Sequence, residues 1–298
     1  MEEIVKVDSV SVYNKLRGVP TLHPLVTVID LSKAAPMTAK TFNFGVYAIY
    51  LKELNCGELK YGRNNYDYQE GTLVFTAPGQ VIGVQPNVKS FEPKGWALLF
   101  DSELVKGTAL GRHIQDYTFF SYDVNEALHL SEKEKQLVLD CFAKIQYELQ
   151  QSIDKHSKTL IAANIELLLN YCTRFYDRQF ITRDNAHQGM LEKFEELLNQ
   201  YYSSDKPQSI GLPSVAYCAD ELNLSANYFG DLIKKETGKS AQEYIQEKVI
   251  DVAKERIFDI NKSISEVAYE LGFKYPQHFT RAFKQRVGVA PNEYRRMN

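Results

Sequence analysis

Cysteine is sparse in this chain, and what there is lacks metal-site spacing. The four thiols, Cys56, Cys141, Cys172 and Cys218, form no Cys-x-x-Cys pair and have no histidine at zinc-finger distance. A zinc module and a disulfide framework are therefore excluded, and buried, reduced thiols are expected. No run of about 18 apolar residues occurs, so no membrane-spanning helix is expected. The start, Met1-Glu2-Glu3-Ile4-Val5-Lys6, is acidic and lacks the apolar core of a signal peptide, which points to a cytoplasmic protein. Histidine is missing where a catalytic metal would need it. Between residues 21 and 103 the one histidine is His23, whereas a metal site takes several histidines and a carboxylate. His113 and His129 lie beyond. No G-x-S-x-G, H-E-x-x-H or P-loop spacing is present. Neither sign of charge dominates: 35 Lys and Arg face 38 Asp and Glu, for a net charge of −3. These absences argue against an enzyme, a metal protein and a protein requiring a cofactor.

What the chain does have is one pattern written twice near its end, over residues 214–239 and 263–288. In the first copy Ser214 suits an N-cap, and Val215, Cys218, Ala219 and Leu222 keep helical spacing. Leu224 returns to that face. Ser225 caps a second helix with the stripe Phe229, Leu232 and Ile233, and Gly238 ends it. In the second copy Ser263 and Glu266 form a capping box before Val267, Ala268 and Leu271. Gly272 makes the turn, Phe273 enters the core, and Phe279, Phe283 and Val287 follow before Gly288. A short helix, a tight turn and a second helix make a helix-turn-helix, here predicted over 214–237 and 263–287. Two of them imply two helices inserted into DNA.

Charge and spacing fit that reading. From Lys274 onward six basic residues (Lys274, Arg281, Lys284, Arg286, Arg295, Arg296) face one acid, Glu293. They form either a solvated face or one that contacts phosphates. Residues 204–298 hold 14 basic and 13 acidic residues, a balance of +1, so cations must be segregated to one side. Residues 241–258 keep helical spacing through Tyr244, Ile245, Lys248, Val249, Val252, Ala253 and Ile257. Eighteen helical residues would span about 27 Å, a stiff spacer against a groove repeat of about 34 Å.

These residues carry a resemblance. From about 190 to 296 the chain resembles the DNA-binding domain of the AraC/XylS family of bacterial transcription regulators. The match rests on Ala268, Leu271-Gly272-Phe273, Phe279-Thr280-Arg281-Ala282-Phe283-Lys284, Gly288, Pro291 and Tyr294-Arg295. It is joined by Lys235-Glu236-Thr237-Gly238-Lys239 with Tyr244-Ile245. The resemblance places DNA-facing positions at Gln277, His278 and Arg281 in the second motif, to which Lys284 is added. In the first it places them at Asn227, Gly230 and Asp231, to which Tyr228 and Lys234 are added. Arginine reads guanine and glutamine reads adenine, while Lys284 suits phosphate. Gly230 has no side chain to read with, and Asp231 repels phosphate. Val249 stands where the family usually has arginine.

Upstream, short β-type runs at 26–31, 46–51, 58–61, 72–76, 81–84 and 96–100 alternate with turn residues. They predict a small barrel or jelly roll, and 71–79 resembles the hairpin of the family's cupin-like barrel. Tyr47, Tyr50, Tyr61, Tyr66, Tyr68, Phe75 and Trp96 either fill its core or wall a pocket for a small organic effector. Ser131-x-x-Glu134 opens a helix with Leu137, Cys141, Ile145 and Leu149 on one face. A second runs from about 159 with Leu160, Asn164, Leu168, Tyr171 and Phe175.

The expected architecture is α+β. Residues 1–125 form a cupin-like β-barrel and 126–180 a helical hairpin for dimerisation. A linker follows at 181–189, and 190–298 form an all-α DNA-binding domain, opened by a helix through Met190, Phe194 and Leu198 and by a loop at 205–211. The expected partners are double-stranded promoter DNA and a second copy of the chain. RNA polymerase contact and activation are implied by the resemblance, and the barrel leaves room for an effector.

Overall fold

The computed structural model describes residues 4–38, 41–52, 71–83, 90–123, 126–182 and 184–297. The expected strand at 58–61, with Cys56, Tyr61, Tyr66 and Tyr68, lies outside the described residues. The chain divides into two compact units, 1–181 and 182–298.

The first unit opens with β1 (Ile4–Val7), α1 (Val10–Leu16), β2 (Val26–Asp30), β3 (Met37–Thr38), β4 (Thr41–Phe44) and β5 (Tyr47–Lys52). It continues through β6 (Thr72–Thr76), β7 (Val81–Gly83), β8 (Ser90–Phe91) and β9 (Gly95–Phe100). Short helices α2 (Ser102–Val105) and α3 (Ala109–His113) and the strand β10 (Leu128–His129) lead to two long helices. The strands form a sheet of order β10-β6-β5-β9-β2, a second of order β1-β4-β7, and a β3-β8 ribbon.

This corrects the barrel expectation: among the described residues no ladder joins the sheets, so no barrel closes. The reason lies in the five-stranded sheet, which is covered on both faces. Ile29, Ala48, Ala97 and Leu99 on one face pack with Val7, Val10, Tyr13, Phe42 and Phe44 from β1, α1 and β4. On the other face Phe75 meets Phe119 at 4.5 Å and Tyr176 at 6.2 Å between ring centroids, and Tyr47 stacks on Phe100 at 5.0 Å. Strand β6 is accordingly buried at all five positions, as expected of a strand covered on both sides.

The helices begin where the caps predict. α4 (Glu132–Leu149) carries both arms of the Ser131–Glu134 capping box, and Arg178 of α5 (Ser157–Thr182) grips Glu134 at 2.9 Å. α6 (Asp184–Tyr202) starts inside the expected linker. The expected loop at 205–211 is corrected as well. It contains a one-turn helix, α7 (Lys206–Ile210), which Pro207 tolerates because the first turn needs no proline N–H.

The second unit continues with α8 (Val215–Glu221), α9 (Ala226–Thr237), α10 (Ala241–Arg256), α11 (Ile264–Glu270), α12 (Pro276–Val287) and α13 (Pro291–Met297). The two copies superimpose in register: α11 begins 49 residues after α8, and α12 begins 50 after α9. The extra residue lies in the second turn. Both turns use a left-handed residue at the same place, Asn223 at φ 56° and Gly272 at φ 93°. Both are closed by the same bond, from the Leu224 amide to the Ala219 carbonyl and from the Phe273 amide to the Ala268 carbonyl.

Asparagine is tolerated in the first turn because αL suits its short polar side chain. In the second turn only glycine fits. A Cβ on Gly272 would stand 2.6 Å from the carbonyl carbon and oxygen of Gly211, which are rigid backbone. Gly272→Ala is therefore expected to lower stability by about 3 kcal/mol, at the upper end for a strained backbone position. Urea unfolding of the full chain measures this; a loss below about 0.5 kcal/mol would show that the loop at Gly211 yields freely.

Candidate nucleic-acid interface

Each motif holds its second helix by burying one stripe and leaving the opposite face outward. In the first, Phe229 and Ile233 of α9 pack with Cys218 and Ala219 of α8, with Phe194 and Leu198 of α6, and with Ala241 and Ile245 of α10. In the second, Phe279 and Phe283 of α12 pack with Val267 and Ala268 of α11 and its C-cap Leu271, with Tyr201 and Tyr202 of α6, and with Val249, Ile250 and Ala253 of α10 and its C-cap Ile257. α6 and α10 thus run through both cores. Small Ala219 and Ala268, both buried, occupy matching positions on α8 and α11. The spacer α10 is 16 residues, about 24 Å at the helical rise, two residues shorter than expected. Val249 belongs to its buried face, so at that position the helix supports the core.

On α12, Gln277, His278, Arg281 and Lys284 are all exposed. Gln277, Arg281 and Lys284 follow at spacings of four and three, hence on one face. The side chains of Gln277, Arg281 and Lys284 make no hydrogen bond or ion pair among the described residues. The His278 ring stands edge-on to Tyr275 at 5.3 Å.

The register-equivalent face of α9 carries Asn227 and Lys234, both exposed, and Asp231, partly exposed. Gly230 lies between them, and a Cβ there would meet nothing within 4 Å. Tyr228 departs from the sequence expectation: it is 2% exposed. It sits one residue, or about 100°, around the helix from Asn227, beside the Phe229 and Leu232 stripe, and its ring goes inward. Of the eight expected DNA-facing residues, seven are thus carried outward by the two helices and Tyr228 is withdrawn.

Sequence reasoning missed the internal use of two basic residues. Arg286 donates from Nη1 to Glu247 Oε1 at 3.0 Å and from Nη2 to Gln246 at 3.3 Å. Glu247 also pairs with Lys239. These bonds, Lys239 first, hold the Glu247 carboxyl below its ordinary pKa. A loop lysine, the spacer and the second outward helix are tied through one carboxylate. Arg295 donates to the carbonyls of Ile257 (2.5 Å), Lys262 (2.9 Å) and Asp259 (3.4 Å), closing the loop after α10. No local spacing announces either role, because the partners lie 33 to 40 residues away. The charge along the two helices is unequal: α12 has Arg281, Lys284 and Arg286 and no acid, whereas α9 sets Lys234 and Lys235 against Asp231 and Glu236.

The C-terminal unit is similar to known proteins. Residues 218–297 match the family described as a helix-turn-helix domain. The C-terminal unit contains an AraC-type helix-turn-helix domain. Among curated relatives, the chain is 28% identical over 130 residues to the HTH-type transcriptional regulator YobQ of Bacillus subtilis, covering 39% of this chain and 53% of that one. It is 27% identical over 161 residues to YfiF of the same organism, covering 54% and 48%. The chain therefore spans about half the length of these relatives. Among solved structures, the C-terminal domain of AraT, a response regulator from Geobacillus stearothermophilus, is 26% identical with a TM-score of 0.32, over 36% of this chain and 84% of that one. No described helix is long and apolar enough to cross a membrane.

Gly230 offers a direct check on how α9 is used. A glycine inside an exposed helix costs about 1 kcal/mol relative to alanine, and the space above it is open. Gly230→Ala should raise unfolding stability by about that amount in a thermal melt. A destabilised variant would mean that the helix backbone is strained there.

Proposed function

We propose that the protein is a sequence-specific DNA-binding transcription regulator, entering adjacent major grooves of promoter DNA with α9 and α12. The observation that carries this reading is the pair of register-equivalent helices with polar side chains outward, both built on α6 and α10. In this reading Arg281 reads guanine, Gln277 and His278 read neighbouring base edges, and Lys284 holds phosphate. Asn227, Asp231 and Lys234 serve the first motif, in which Asp231 accepts from a cytosine amino group. The electrostatic share of affinity then falls mostly on α12, and a site of two unequal halves follows.

The β unit is read as cupin-like and effector-binding, and the protein as a binding protein rather than an enzyme, requiring no cofactor. Homodimerisation is supported by the exposed leucines on α5, Leu160 and Leu167, seven residues apart with Tyr171 beyond. A dimer doubles the number of inserted helices, which suits a domain of nearly balanced charge. Activation through RNA polymerase, in the cytoplasm of a bacterium, completes the reading.

Arg281→Ala should weaken binding to a site selected from genomic fragments by about 1–3 kcal/mol and leave binding to random DNA nearly unchanged. Equal losses on both would reduce Arg281 to a phosphate contact. Lys284→Ala should weaken both and lower the slope of log affinity against log salt by about one; a slope equal to the parent's would remove Lys284 from the phosphate contacts. Both are read by fluorescence anisotropy over a salt series.

A further inference from the structure

The buried polar side-chain atoms that find no hydrogen-bond partner gather in the β unit. Among the described residues they are Tyr13 Oη, Asn14 Oδ1, Arg17 Nε and Nη1, and Thr76 Oγ1; Tyr202 Oη in the other unit is the exception. Tyr13 lies on α1, and Arg17, its C-cap, stands four residues on, hence on the same side. Ala48 is opposite Thr76, and Tyr50 is opposite Val74. Side chains alternate along a strand, so Tyr50 and Thr76 share the sheet face that carries Ala48, which packs on α1 and β4. The Tyr13 ring is 6.4 Å from Phe44 and 6.5 Å from Tyr50, and Phe44 is 6.4 Å from Tyr50.

Arg17 is 1% exposed. Its one hydrogen bond runs from Nη2 to the Leu31 carbonyl at 3.4 Å, and no carboxylate pairs with it among the described residues. Nε and Nη1 together carry three N–H donors, all unused. Burial lowers the pKa of Arg17 and raises those of Tyr13 and Tyr50, so the phenols stay protonated and do not neutralise it. A guanidinium does not give up its proton in the ordinary range, and an isolated charge in a dry site is strongly unfavourable. Among the described residues nothing cancels it, and an anion would.

We propose that Arg17, with the Tyr13 and Tyr50 hydroxyls, is the receptor for a small monocarboxylate with an apolar or aromatic body, held between α1 and the inner sheet face. One negative charge balances one guanidinium, and the flat fork of arginine matches a carboxylate edge. A phosphate dianion would bring a second charge with no second cation to meet it. The rings of Tyr13, Phe44 and Tyr50 supply apolar walls, and Thr76 places a further hydroxyl on the same face. The site deepens the reading of the β unit as effector-binding and names the chemistry of the effector.

The test uses the full chain without DNA, with benzoate as probe, benzamide as its neutral analogue and inorganic phosphate as the competing anion. Benzoate should bind saturably in calorimetry and raise the thermal midpoint by several degrees at about 100 times its Kd. Benzamide and phosphate should do neither. Arg17→Met should abolish the response to benzoate and, with no anion added, melt at or above the parent temperature, since it removes an uncompensated charge. A variant that melts lower yet keeps the benzoate response overturns the proposal. If Arg17→Met does not fold, NMR of the parent decides. A saturable shift of the Arg17 Nε–H signal with formate, acetate or benzoate supports the site, and no such shift with any of the three overturns it. DNA affinity is measured separately, so a chain that binds its selected DNA but no carboxylate loses this site and keeps the DNA-binding role.

Discussion

The second unit depends on helices shared between two cores. A pair such as α8 and α9, of seven and twelve residues, is too small to bury a core of its own. α10 supplies Ala241 and Ile245 to one motif and Val249, Ile250, Ala253 and its C-cap Ile257 to the other. α6 does the same with Phe194 and Leu198 on one side and Tyr201 and Tyr202 on the other. Neither motif can rotate against its neighbour without opening one of these cores. The spacing of α9 and α12 is thus a packing property, reinforced by the Lys239–Glu247–Arg286 network. Ion pairs of that exposure contribute modestly by themselves; their effect here is to set direction.

The same economy governs charge. Of the six basic residues after Phe273, Arg295 is spent on the carbonyls of Ile257, Asp259 and Lys262, and Arg286 on Glu247 and Gln246. Arg281 and Lys284, which have no side-chain partner among the described residues, are left on the outward face of α12. A nearly neutral unit can present a basic surface because its acids are occupied elsewhere: Glu243 and Glu266 in capping boxes, Glu270 with Lys262, and Glu247 with two cations. The two motifs are alike in backbone and unlike in field. An acidic Asp231 and a bare Gly230 stand where the second motif has Arg281 and Thr280.

In the first unit a five-stranded sheet sandwiched on both faces uses most of its aromatics as filling. Tyr47 and Phe75 lie against Phe100, Phe119 and Phe120, which makes Phe75 core and leaves Tyr47 half-buried beside it. Tyr50 is on the other face, with Tyr13 and Arg17, where polar atoms lack partners. The distinction between filling and binding rests on strand register, because a single step along β5 exchanges one face for the other.

The residue order by itself determined the local elements. Ser131, Ser214, Ser225 and Ser263 cap the helices they were expected to cap, Gly238 and Gly288 end theirs, and the duplicated motif is evident from apolar spacing. These features are legible because each depends on neighbours within one or two turns of helix. Tertiary structure alone decided that the sheets do not close among the described residues, that Tyr228 turns inward while its counterpart His278 turns outward, and that Arg286 and Arg295 are internal. It also decided that Arg17, which spacing marked in no way, is a buried charge. Each of these depends on groups brought together from distant parts of the chain, and pairing, burial and electrostatic cost are set by that proximity rather than by position along the sequence.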